Sequence, residues 1–186
     1  MAATVTINRL TGPAGTIVET PITGLNTRAN TADAHSATDT ASPIEIPTGA
    51  DNYSYWVNTQ LDCTVAPDTL INNIEWYADT DNFGTGVSSK TTTVPRAGYT
   101  IASGTTGVTG IVLSDANYSG GSLAPTVPLD SFTYTTGSPL AVPGSTAATG
   151  AFGSIVVYQV AVASTADPGV EPTGGPETWT WRYDET

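Results

Sequence analysis

Residues 53–78 read YSYWVNTQLDCTV, then APDTLINN, then IEWYA. In the first run Tyr53, Tyr55, Val57, Leu61, Cys63 and Val65 alternate with Ser54, Asn58, Gln60, Asp62 and Thr64. A period of two with one apolar face predicts a strand lying on a core. Trp56 is the one bulky residue on the polar side. In the second run Ile74, Trp76 and Ala78 share a face against Glu75 and Tyr77, and Pro67 and Asp68 supply the turn between the runs. One strand bearing a buried Cys followed by one bearing a Trp is the heart of an immunoglobulin-like sandwich. In that order Cys63 sits on the second strand, Trp76 on the third, and Tyr158-x-Val160 falls where such domains carry Tyr-x-Cys. Val160 in place of the second Cys leaves no inter-sheet disulfide, as suits a reducing compartment. Cys63 and Val160 lie further apart than a compact domain needs, so a Gly/Thr-rich insertion is expected around residues 95–130. A jelly roll fits the same pattern.

Outward from this centre the chain stays β-prone. ATVTINRL and GTIVETPITGL precede it, and Lys90–Val94, TGVTGIVLS, SFTYT and PLAV follow as further short runs. GSIVVYQVAVAS is a strongly apolar strand rich in β-branched residues, and ETWTWRYDE places Trp179, Trp181 and Tyr183 on one face. No window carries convincing helical periodicity, and Gly, Pro, Asn and Asp clusters separate the runs, so the expected class is all-β. The stretch NTRANTADAHSATDTAS, residues 26–42, has no apolar side chain larger than Ala. It cannot offset its own ordering entropy and needs a surface, its own domain's or a neighbouring subunit's. The expected organisation is therefore an extended N-terminal arm over residues 1–50, contacting a neighbouring chain, and a sandwich over residues 51–186.

Charge excludes some partners. The formal net charge is −12 over 186 residues with a single Lys, so no basic cluster exists to neutralise phosphates. Neither nucleic acid nor an anionic membrane surface is an expected partner, and no apolar segment approaches the ~20 residues of a spanning helix. The opening MAATVTINRL lacks the basic start and apolar stretch of a secretory signal.

Chemistry is sparse. His35 is the sole histidine and lies in the most polar stretch, without a positioned partner for general-base work. Cys63 reads as a buried structural thiol. Asp79, Asp81 and Asn82 alternate oxygen ligands as calcium loops do, but Phe83 follows and Lys90 stands where a bidentate Glu would close the loop, so a plain turn is the better reading. No catalytic residues, cofactor or enzyme activity is expected. Trp56, Tyr77 and Tyr118 fall off the main apolar face or in loops. They mark either an outward contact surface or a second layer covering that face. Arg28 and His35 join them as expected interface residues.

NTRANTADAHS, IPTGADNYSYWVNTQ and INNIEWYADTDNFGTGV, with the closing TWTWRYDE, resemble virion proteins of tailed phages: acidic, Thr/Gly-rich β-sandwich proteins. The resemblance spans about residues 4–90 and the last strand, and it carries no catalytic motif. It implies a non-enzymatic capsid decoration (cement) protein, made in the host cytoplasm and located on the virion. The implied partners are the major capsid protein or other virion proteins, and the implied state is a homo-oligomer. A tail- or fibre-associated protein, or a carbohydrate- or receptor-binding module using Trp56, Tyr77 and Tyr118, is the alternative.

Overall fold

A computed structural model describes residues 2–36, 42–79, 83–101, 111–118, 120–168 and 177–186. The protein is an all-β sandwich of two antiparallel sheets. The strands are β1 (Thr4–Thr11), β2 (Val18–Pro21), β3 (Asn52–Tyr53), β4 (Val57–Val65), β5 (Ile71–Ala78), β6 (Val87–Val94), β7 (Ala124–Asp130), β8 (Leu140–Ala141), β9 (Gly150–Val162) and β10 (Trp179–Glu185). The large sheet runs β2-β1-β4-β9-β6-β7, with β3 also pairing β9. The small sheet runs β10-β5-β8.

The core between the sheets follows from the period of two. Leu61 and Cys63 of β4 and Phe152 and Val156 of β9 meet Ile71, Ile74 and Trp76 of β5. Asn73 adopts φ 47°, which resets the alternation so that Ile71 points inward along with Ile74 and Trp76. Trp179 stacks on Trp76 at 5.2 Å and meets Tyr158 at 5.3 Å, joining β10 to both sheets. Cys63 donates its thiol to the Val65 carbonyl at 3.1 Å, and burial pushes its pKa up.

The wiring differs from the immunoglobulin order. There the strands bearing Cys and Tyr-x-Cys oppose each other from different sheets. Here β4 and β9 are hydrogen-bonded neighbours, with Val57 opposite Tyr158. Val160 correspondingly leaves the main core and packs with Val162 and Ala166 against Ala29, Ile44, Phe83 and Val87. The expected boundary at residue 50 also moves. β1 lies inside the large sheet between β2 and β4, so the extended part of the N-terminal region begins after β2.

Two expected strands take other forms. Of TGVTGIVLS, the part from Ile111 to Ser114 lies in no strand, and the rest falls outside the described residues. SFTYT instead opens on a 3-10 turn, Ser131–Thr133, because the Asp130 carboxylate accepts from the Phe132 N–H at 3.0 Å. β7 has no counterpart among the expected strands. Its Pro125 and Pro128 are the edge-strand signal that could have revealed it.

A third layer covers the other face of the large sheet. Tyr99, Leu113, Tyr118 and Leu123 pack on Leu10, Trp56, Val94, Ile155 and Val157. Gly98 and Gly120 let two passes of this covering chain cross, since a Cβ on Gly120 would lie 2.3 Å from the Gly98 carbonyl oxygen.

Candidate functional site

The polar side of β4 is where sequence and structure meet most closely. Asn58 and Gln60, spaced as solvent-facing residues, lie at 0% and 1% exposure beneath the covering layer. The irregular chain above them brings backbone groups that must be satisfied once buried. Asn58 donates to the Thr100 carbonyl at 3.3 Å and accepts the Tyr118 hydroxyl at 2.8 Å. Gln159 on β9 donates to the Ser54 and Ile111 carbonyls at 2.8 and 2.7 Å, and accepts the Leu113 N–H at 2.6 Å. Trp56 adds its indole N–H to the Ile111 carbonyl at 3.0 Å. Gln60 donates to the Gly153 carbonyl at 2.6 Å and accepts from Arg96, whose other nitrogen pairs with Glu19 beside Asn8. Burial raises the pKa of Tyr99 and Tyr118 well above the usual tyrosine range.

Trp56 and Tyr118 are therefore not outward contact residues. They are buried, with ring centroids 4.9 Å apart, because residues 96–101, 111–118 and 120–123 form the second covering layer that a Trp on the polar side of a strand requires. Tyr77 is half-buried on the small sheet, with the Arg182 guanidinium 5.7 Å from its ring centroid. Arg28 and His35 sit together elsewhere, on the chain that follows β2. The Arg28 N–H donates to the Ser36 carbonyl at 3.0 Å, and His35 Nδ1 lies 3.3 Å from the Thr27 hydroxyl. Both are half-buried against their own domain.

Asp79 closes the end of the small sheet. Its carboxylate accepts the Thr178 N–H at 2.9 Å while its own N–H reaches the Thr178 carbonyl at 3.1 Å. Asp81 and Asn82 lie outside the described residues. Among the described residues no three His, Cys, Asp or Glu side chains come together as metal ligands.

What sequence reasoning missed is the distribution of exposed apolar side chains. Val18 (56%) on β2 and Leu25 (58%) just beyond it mark one edge of the large sheet. Val127 (70%) and Leu129 (46%) on β7 mark the opposite edge. Ile46 and Val65 are exposed singly, which is ordinary, whereas the two pairs at the two ends of one sheet form a pattern. No family model, curated protein or solved structure matches the chain.

Proposed function

We propose that the protein is a non-enzymatic structural component of a tailed-phage virion, a capsid decoration protein that bridges neighbouring subunits. The observation that supports this reading is the pairing of exposed apolar side chains at the two edges of the large sheet. The buried amides and aromatic hydroxyls are spent on holding the covering layer, while Val18 with Leu25 and Val127 with Leu129 stay exposed on opposite edges of one sheet. A protein touching neighbours on two sides suits a repeating lattice, where many modest contacts gain avidity. The net charge of −12 suits a surface that must not capture nucleic acid. The glycan-binding alternative loses two of its three aromatic residues, Trp56 and Tyr118, to the interior.

The test is immunogold labelling of particles purified from the source of the sequence, with antibody raised against the folded chain. Regular labelling of the shell is expected. Labelling confined to the tail moves the protein to the tail-associated alternative, and particles without label overturn the virion reading. A Val127→Asp/Leu129→Asp variant, altered only at exposed positions, is expected to fold normally and lose shell binding.

A further inference from the structure

Arg9 is 1% exposed, yet its Nε and Nη2, the donors along one edge of the guanidinium, have no hydrogen-bond partner in the protein. Only Nη1 is engaged, donating to the Thr27 hydroxyl at 3.1 Å and the Arg28 carbonyl at 2.9 Å. Asp33 lies on the same overlying chain. Its Oδ2 accepts the Gly12 N–H at 2.7 Å, while Oδ1 is buried without a partner. Gly12 directly follows β1, so this bond holds the carboxylate at the end of the strand that carries Arg9. The two charges influence each other, but no direct ion pair joins them. Two donors of β1 and one acceptor of the overlying chain are thus sealed from solvent at the same contact. Buried polar groups are costly unless something answers them.

We propose that a buried water molecule bridges the Nε/Nη2 edge of Arg9 to Oδ1 of Asp33, a fixed site that ties residues 27–36 to the large sheet. The occupant must accept from N–H groups and also donate to an oxygen. A small oxyanion would accept from the guanidinium but repel Oδ1, and a cation would do the reverse. Water does both, and a buried water usually makes about three hydrogen bonds, the number of groups left open here. It adds to two direct ties of the same segment, Nη1 of Arg9 on Thr27 and Arg28, and the Gly12 N–H on Asp33. Residues 27–36 therefore stay on their own domain in an isolated chain, and no neighbouring chain is needed to order them.

The test is nuclear magnetic resonance of the isotope-labelled full-length protein, with water-selective cross-relaxation read at the Arg9 Nε–H. A cross-peak to water with the sign of a long-lived contact is expected in the rotating frame. A signal with the sign of simple proton exchange, or no contact with water, overturns the proposal. A double-mutant cycle of Arg9→Met and Asp33→Asn then tests the bridge itself. Asn still accepts from Gly12 but places an amide donor where the water donates. A coupling of about tenfold in the unfolding equilibrium is expected, as is usual for groups sharing one hydrogen-bond network. Additive losses overturn the bridge, and so does stabilisation of the wild type but not of Arg9→Met by nitrate, which would mark an anion site. In dilute monomeric protein the Arg28 N–H, bonded to the Ser36 carbonyl, should resist hydrogen exchange, and free exchange there also overturns the proposal. Should a variant fail to fold, the two wild-type measurements decide alone.

Discussion

The two faces of the large sheet are both buried, and they are buried by different chemistry. On one face a second sheet supplies flat, self-satisfied backbone, so the contact needs only Leu61, Cys63, Phe152 and Val156 against Ile71, Ile74 and Trp76. On the other face the cover is irregular chain with free carbonyls and N–H groups. Asn58 and Gln159 answer those groups one by one, and Leu10, Trp56, Val94, Ile155 and Val157 fill the space between. A regular cover asks for apolar side chains, and an irregular one also asks for amides.

The comparison is tested most severely at Trp76. This side chain is 1% exposed, stacks on Trp179 and meets Tyr134 edge-on at 6.3 Å. Trp76→Ala is expected to cost about 4 kcal/mol, the usual loss for removing a large buried aromatic. Urea unfolding should show one lowered midpoint for the whole domain. A loss below about 1 kcal/mol would mean that the inter-sheet face does not dominate stability.

Gln159→Leu asks the same of the other face. The change keeps volume and adds apolar surface, so on packing alone it should be tolerated. It strands the Leu113 N–H and the Ser54 carbonyl, whereas the Ile111 carbonyl keeps Trp56. Two buried groups left unpaired predict a loss of about 3 kcal/mol. Hydrogen exchange should place the damage first in residues 111–118. A neutral outcome would erase the distinction between the two faces.

These two positions also show what the sequence made legible. The inter-sheet face was readable because alternation of apolar and polar residues is itself the signal. The covered polar face was not, since Asn58 and Gln60 look the same in sequence whether they meet water or a buried carbonyl. Two clues were present. Trp56 breaks the polar side of β4, and IVVYQVAV in β9 runs nearly without interruption, as strands buried on both faces do. The order of strands in the sheet had no local signature. Neighbouring of β4 and β9 depends on how the long middle of the chain returns, and Cys63 and Tyr158 look alike in either wiring.

Tyr118→Phe removes one hydroxyl from the covered face. That oxygen donates to Asn58 and accepts the Thr100 N–H at 3.3 Å. The expected cost near neutrality is about 1 kcal/mol. At high pH the sign turns. The folded-state pKa of Tyr118 is raised by burial above its unfolded value, so its contribution is whole below about pH 10 and is lost as pH rises beyond. The wild type should therefore lose stability in alkali, and the variant should lose less per pH unit. Tyrosinate absorbance recorded beside unfolding should show the buried rings ionising only as the structure opens. Equal slopes in the two proteins would remove Tyr118 from the alkaline transition.

The smallest effect belongs to the outside of the small sheet, where Arg182 is exposed and Glu75 and Tyr77 are half-buried. Arg182 donates through Nε to Glu75 at 2.6 Å and lies over the Tyr77 ring, a contact that looks as well made as any in the interior. Its side chain is 49% exposed and that of Glu75 30%, so water and salt screen both charges. The backbone pairing of β10 with β5 holds the same register without it, with Arg182 directly opposite Glu75. Arg182→Gln is accordingly expected to cost less than about 0.5 kcal/mol, with the difference shrinking further in high salt. Urea midpoints at low and high ionic strength measure both quantities. If this exposed pair proved as costly to lose as the buried Gln159 amide, geometry rather than burial would set the worth of a polar contact in this protein, and the contrast between its faces would fail.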